Sequence, residues 1–353
     1  MTDLSLDKIG VIFGGRSGEH EVSLMSAAAV IDAIDKTKHE IVKIGIDHSG
    51  KWFLFDGETS EIADGSWEKS ASAIKPGDIK NLVDFALPVL HGTFGEDGTI
   101  QGLFEMLDIP YAGCGVLASS MCMDKAVAKG IFVQSEIPTC DYKLVYAEDV
   151  KRDVCDEAAK IMTKFAGDVF VKPANMGSSV GISKARNIEE LKRALLLAAK
   201  FDRRILIEEA VNAREVETGV IGNFYPEVAA VGEIAAAADF YDYEAKYSDD
   251  MGTVITVPAD LPEATIKKIR KLALRAYRAM SCEGFARIDF FVSRDTGEVY
   301  INEINTIPGF TKYSMFHSLW KEAGVGFTDL IERIVELGYE RYNDKNKRQT
   351  VYR

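Results

Sequence analysis

The chain has 353 residues, too many for one ordinary core, so two or three domains are expected. Its composition, 47% hydrophobic and 27% charged, is that of a globular protein, and a net charge of −13 argues against a general nucleic-acid binder or an anionic-membrane partner. Five cysteines, Cys114, Cys122, Cys140, Cys155 and Cys282, are scattered without CxxC spacing, as in a reduced cytoplasmic protein. Asp3 and Asp7 lead into a strand at 8–14, which is no signal peptide, and no apolar run approaches membrane-spanning length. Gly14 and Gly15 break that strand before a helical pattern from Val22 to Ile34. Strands at 41–46 and 85–90 and a helix at 99–107 complete an α/β first domain, 1–122, with a mainly parallel sheet. Asp124 caps a helix over 125–135. A strand at 168–172, a helix capped by Asn187 and a strand at 204–208 make an α+β unit, 123–215. The remainder, 216–353, reads as strands at 216–222 and 228–234, an irregular stretch 236–258, a helix at 262–280, a hairpin and a last helix at 327–338. The tail 343–349 reads as frayed.

The hairpin carries the chemistry. Its strands are Gly284–Val292 and Glu298–Thr306, joined by turn-forming Ser293–Gly297. Alternation sets Arg287 and Asp289 on one face, and Glu303 and Asn305 on one face. Folding about Asp295–Thr296 brings Asp289 roughly opposite Glu303. Facing carboxylates repel, so the pair makes sense around a hard divalent cation. Two carboxylates and an amide oxygen, with no Cys or His near them, suit Mg²⁺ and not zinc. Mg²⁺ on few carboxylates usually completes its shell with substrate phosphates. The bland alternative is a solvated edge hairpin, but Phe290, Phe291 and Ile301 argue against a merely wet surface.

Lys172 ends a strand just before a Gly/Ser loop, 177–181, whose backbone N–H groups can wrap phosphate oxygens. It is no Walker loop, since the lysine precedes the loop and GK[ST] is absent. Lys125 opens the preceding helix and supplies a second cation. The G-x-G-x-x-A run Gly113–Ala118 lies far from the first strand and reads as a structural turn, not a dinucleotide site.

Taken together, several motifs resemble the D-alanine–D-alanine ligase family. They are Gly14–Ser23 (GGRSGEHEVS), Leu90-His91-Gly92 with Gly95–Gly98, and Tyr111–Gly115. Lys172-Pro173 with Gly177–Gly181, the segment Phe240–Tyr247 (FYDYEAKY), Arg287-Ile288-Asp289 and Glu303–Gly309 complete the set. The resemblance runs from about residue 8 to 338. Departures are Asn175-Met176 and an insertion-like stretch 50–80. The resemblance implies an ATP-grasp fold, three domains with ATP between the central and C-terminal ones. It implies ligation of two D-alanines by way of a D-alanyl phosphate, with D-alanine–D-lactate ligation or another carboxylate–amine ligation as the alternative.

The resemblance also implies roles for individual residues. Asp289, Glu303 and Asn305 hold two Mg²⁺ ions, with Mn²⁺ a possible replacement and a monovalent cation a further candidate. Lys125, Lys172 and Lys246 meet ATP phosphates. Glu208, Glu209 and Val211 border the adenine cleft, and Glu215 binds ribose. Glu19 grips the first D-alanine's ammonium, and His91 lies by its carboxylate. Arg287 and the Gly309 N–H stabilise the oxyanion. Ser178, Tyr247 and Glu19 form a hydrogen-bonded triad under a lid. Ser314 and Met315 line the second D-alanine pocket. A cytoplasmic homodimer, binding neither membrane nor nucleic acid, is expected.

Overall fold

A computed structural model describes residues 6–177, 180–235, 254–311 and 313–349. The first part comprises β1 (Asp7–Gly14), α1 (His20–Ala33), β2 (His39–Ile46), β3 (Trp52–Phe55), α2 (Thr59–Ala63), β4 (Ser72–Ile74), β5 (Phe85–Pro88) and α3 (Thr99–Leu107). Its sheet runs β4-β3-β2-β1-β5. The pairs about β1 are parallel, but β2–β3 and β3–β4 are antiparallel, so the sheet is mixed where a mainly parallel one is expected. The extra strands come from the 50–80 stretch. Its apolar residues Trp52, Phe55, Ile62, Trp67 and Ile79 are buried. Trp67 stands edge-on to Phe13 at 5.2 Å, against the bare face of Gly45. Burying such a ring contributes about 1.5–3 kcal/mol relative to exposure.

Next come α4 (Val116–Met123), α5 (Lys125–Gln134), β6 (Tyr142–Tyr146), α6 (Ala147–Arg152), α7 (Val154–Lys164), β7 (Val169–Pro173), β8 (Ser183–Ala185), α8 (Ile188–Ala198) and β9 (Arg204–Glu209). The sheet β6-β9-β7-β8 is antiparallel throughout, and its core includes Leu191 and Leu195 from α8. The caps form as expected. Asp124 accepts from Val127 N and Asn187 accepts from Glu190 N, both at 3.0 Å.

The third part holds β10 (Ala213–Ile221), β11 (Glu227–Ala235), β12 (Val254–Thr256), α9 (Glu263–Ala279), β13 (Phe285–Ser293), β14 (Val299–Asn305), α10 (Met315–Glu322) and α11 (Phe327–Asn346). Its sheet runs β12-β11-β10-β13-β14. The 254–256 portion of the stretch expected to be irregular is therefore a strand, and 236–253 lies outside the described residues. Helix α9 covers one face with Ile269, Leu272, Ala273 and Tyr277, and α5 adds Ala128 and Phe132 to the same core.

The last helix departs most from expectation. It runs to Asn346 and does not fade near 338. Arg341 explains this. It donates to Tyr111 O at 2.9 Å and to Gly113 O, with its guanidinium 4.0 Å over the Tyr111 ring. Tyr342 donates to Asp108 at 3.0 Å, and Lys345 pairs with Glu105. Ordering by these partners in the first part overrides a polar local sequence. Farther up, Leu330 and Ile334 of α11 and Phe316, Leu319 and Trp320 of α10 share one core with Phe13 and Val30.

Candidate active site

The site lies on one face of the third sheet. Glu217, Asp289 and Glu303 stand in one row across β10, β13 and β14, and Arg287 pairs with Asn305 in the next. Hairpin closure starts with Gly297 at φ +72 and Val292 opposite Val299. Continued unbroken, that register would set Asn302 against Asp289. A bulge between Asp289 and Phe290 inserts one residue and delivers Glu303 instead.

Arg287 is mostly buried among acids. Its Nε and Nη2 donate to the two Asp289 oxygens, both at 2.8 Å, and Nε lies 2.8 Å from Glu217 Oε2. Burial opposes its charge, but Asp289 and Glu217 outweigh that and hold its pKa well above the ordinary value. Asn305 Nδ2 donates to Asp289 Oδ2 at 2.9 Å. Lys125 Nζ reaches Glu303 Oε2 at 3.4 Å and donates to Met176 O at 2.9 Å, so it spans from the hairpin to the Gly/Ser loop. Among the described residues, no three His, Cys, Asp or Glu side chains form a metal cage. The oxygens present, two carboxylates and an amide, are of the kind Mg²⁺ takes together with oxygens of a phosphate ligand. Three acids against Arg287 and Lys125 leave an excess of negative charge, so the donor set fits.

Across the cleft, Lys172 Nζ donates to buried Glu208 at 2.9 Å. Burial works against the charge of each, yet the pairing prevails: Lys172 titrates above and Glu208 below its usual range. Glu208 also meets Lys129 at 3.5 Å, a fully buried lysine that the sequence reading missed. Its signal was a third lysine one turn beyond Lys125. Glu209 closes β9, its N–H on Asp141 O at 3.0 Å, and Val211 lies in the crossover to β10. Exposed Glu215 is two residues before Glu217, on the same sheet face.

The first part contributes its loops. Gly14, at φ +85, turns the chain so tightly that a Cβ would lie 2.2 Å from Ile46 O. Glu19 then starts α1 without capping it. Its carboxylate instead faces Gly92 and Gly177, where Cβ atoms would come within 2.5 and 2.8 Å. Ser178, Lys246 and Tyr247 lie outside the described residues.

His91 lies beneath the 307–310 loop. It is buried with both ring nitrogens engaged, Nδ1 with Ile307 O and Nε2 with Ser26 Oγ, each at 3.0 Å. A carbonyl only accepts, so Nδ1 carries the proton and Nε2 accepts from Ser26. Ser26 Oγ in turn accepts from Phe310 N at 3.3 Å. Burial pushes His91 below its ordinary pKa, against the pull of Glu19. The ring thus braces the 307–310 loop. Glu96, also missed as a site residue, shares that work. It accepts from Gly92 N and Ile307 N, both at 2.9 Å, and burial, then Glu19, push its pKa up to about 8. The signal was a carboxylate inside a Gly-rich loop motif.

Gly309 lies at the end of this brace, and Ser314 Oγ would lie 2.9 Å from a Cβ there. Ser314 pairs with Thr311 Oγ1 at 2.9 Å and precedes α10 without capping it. Met315 buries its side chain in the core, and its backbone opens α10. What remains for an anion there is the uncapped N–H end of α10.

A lysine-bearing antiparallel sheet, linked through the Lys125–Glu303 contact to a sheet with paired carboxylates, accords with the ATP-grasp class of ligases. Family models described as D-ala D-ala ligase N-terminus and D-ala D-ala ligase C-terminus match residues 8–114 and 131–336. The chain belongs to the D-alanine–D-alanine ligase family. It is 45% identical to the D-alanine–D-alanine ligase of Ruminiclostridium cellulolyticum, over 98% of this chain and 99% of that one. Identity to the Thermoanaerobacter sp. ligase is 47%, covering 96% and 98%. Among solved structures, VanG D-Ala:D-Ser ligase from Enterococcus faecalis superposes with TM-score 0.84 at 36% identity, covering 94% and 99%. The D-alanine-D-alanine ligase from Coxiella burnetii gives TM-score 0.85 at 32% identity, covering 97% and 96%.

Proposed function

We propose that the chain joins two D-alanines into D-alanyl-D-alanine for peptidoglycan precursors, using ATP and passing through a D-alanyl phosphate. The observation that carries this reading is the face bearing Arg287, Asp289, Glu303 and Asn305, linked to the lysine side by the 3.4 Å contact of Glu303 with Lys125. A carboxylate is a poor electrophile. Transfer of the γ-phosphoryl group to it makes an acyl donor, which the second amine attacks, releasing phosphate and a proton. Asp289, Glu303 and Asn305 would hold Mg²⁺, which when bound offsets charge on the transferring phosphoryl group. Lys125 and Lys172, with Lys246, neutralise the phosphates. Adenine lies by Glu208, Glu209 and Val211, and Glu215 takes the ribose hydroxyls. Glu19 takes the first ammonium. Arg287 and the Gly309 N–H hold the tetrahedral oxyanion. Ser314 and the N–H end of α10 take the second carboxylate. Ser178 and Tyr247 tie a lid to Glu19, and the lid excludes water that would hydrolyse an acyl phosphate.

The same reading includes division at about residues 122 and 215, a cytoplasmic homodimer, Mn²⁺ in place of Mg²⁺, and room for a monovalent cation. Among the described residues no helix is long and apolar enough to cross a membrane. The test is ADP formation with D-alanine alone, with added D-serine or D-lactate, and with L-alanine, products being weighed by mass spectrometry. D-alanyl-D-alanine should dominate. ATP turnover indifferent to D-alanine, or mainly depsipeptide product, would overturn the reading.

A further inference from the structure

Arg287 has two anionic partners, and only one of them belongs to the cation-binding set proposed above. Glu217 projects from β10 in register with Asp289, with its side chain 8% exposed, and its Oε2 lies 2.8 Å from Arg287 Nε. The same Nε, with Nη2, makes the two-pronged contact to Asp289. These arrangements compete once Asp289 has another claim on it. A carboxylate that turns an oxygen to a divalent cation weakens its bond to a guanidinium, and the cation repels the arginine as well. An arginine dependent on Asp289 alone would then swing away from the centre it must stabilise.

We infer that Glu217 is a positioning residue: it holds the Arg287 guanidinium in the plane of the site when Asp289 turns to a cation. Glu217 itself touches neither substrate nor the reacting atoms; it acts through Arg287. Three features support this. The carboxylate is almost fully buried, which is costly unless it is paired. It stands in the Asp289–Glu303 row, although a third acid there increases repulsion. And β10, in the sheet centre between β11 and β13, is less able to shift than the hairpin edge.

The inference rests on the proposed reading of the site, and the experiment separates them. Glu217→Gln keeps the shape and removes the charge; Glu217→Asp keeps the charge on a shorter arm. Two quantities are measured in each: kcat and KM with ATP and D-alanine, and Mn²⁺ affinity of the nucleotide-free protein by electron paramagnetic resonance. Both are repeated in an Arg287→Lys background. In Glu217→Gln, kcat should fall about ten- to hundredfold with KM for ATP within about twofold, as for groups that orient a site residue from behind. Mn²⁺ affinity should fall as well, because Arg287 now leans wholly on Asp289. Glu217→Asp should recover part of both. In the Arg287→Lys background the Gln substitution should change little, since the effect passes through the guanidinium. Unchanged kcat and Mn²⁺ affinity in Glu217→Gln, or equal losses in both backgrounds, would overturn the inference. If the unaltered protein shows no D-alanine-dependent turnover, the reading of the site fails, and the Mn²⁺ titrations alone decide the role of Glu217. If Glu217→Gln does not fold, the Asp variant carries the same comparison: it must lose kcat measurably in the parent background and little in the Arg287→Lys background.

Discussion

Lys125 occupies the first turn of α5, where the helix dipole favours an acid and disfavours a cation. Its presence there is a local cost that only a negatively charged neighbour justifies. Lys125→Gln should therefore raise KM for ATP at least about tenfold while changing the melting temperature little, because dipole relief of roughly 0.3–1 kcal/mol offsets the lost contacts with Glu303 and Met176 O. Parallel kinetics and thermal melts check this, and unaltered KM would remove Lys125 from the phosphate site. Glu96 makes a prediction about pH. Its folded pKa of about 8 lies above the ordinary carboxyl value of 4.5. Between the two, the folded chain keeps a proton that the unfolded chain has released. The favourable contribution is therefore complete below about 4.5 and is lost as pH rises through about 8. His91, with its pKa lowered, works in the opposite sense and favours the folded state above its ordinary value of 6.5. From pH 5 to 9 the melting temperature of the unaltered protein should fall steadily relative to that of Glu96→Gln. A constant gap would show that Glu96 carries no such proton.

At the scale of elements, the two ends of the active hairpin are set by different means. Gly284, at φ +72, meets the backbone of Gly113, where a Cβ would come within 3.0 Å of three main-chain atoms. Gly284→Ala should cost on the order of 1–3 kcal/mol from the strained backbone alone, with more from the clash. Chemical denaturation measures this, and a loss below about 0.5 kcal/mol would mean that the two loops part easily. The far end is closed by the turn, whose Gly297 was readable as such. The hairpin was legible because alternation puts Arg287 with Asp289 and Glu303 with Asn305. The bulge that brings Glu303 to Asp289 was not, since an inserted residue leaves no mark on composition. Glu217 was invisible for a related reason. Its neighbours come from a strand some seventy positions away, and a lone Glu in Val216-Glu217-Thr218 reads as an ordinary outward-facing residue. The 50–80 segment defeated periodicity because its strands and turns are each too short to complete a pattern.

The whole molecule is closed by its last helix. Arg341→Ala removes two hydrogen bonds to carbonyls and a stacked contact with Tyr111. It should destabilise the protein by about 2–4 kcal/mol, summing charge-assisted bonds and the stacked cation. KM values should not change, since Arg341 lies outside the proposed substrate contacts. Denaturation and steady-state kinetics together check this; a raised KM with unaltered stability would refute it. The family resemblance extended only to about residue 338, so nothing in the motifs announced these contacts. They are visible only once α11 lies against the 105–113 region. The core joining Phe13 and Val30 to Trp320 and Ile334 has a consequence for biosynthesis. A ribosome delivers β1 and α1 long before α10 and α11, so the apolar surface of the former waits for the latter before it can be covered. Nascent chains halted near Thr311 should expose that surface, bind holdase chaperones and resist compaction, while the 142–209 unit, whose core is its own, is already folded. For this protein the order of manufacture and the order of completion run in opposite directions.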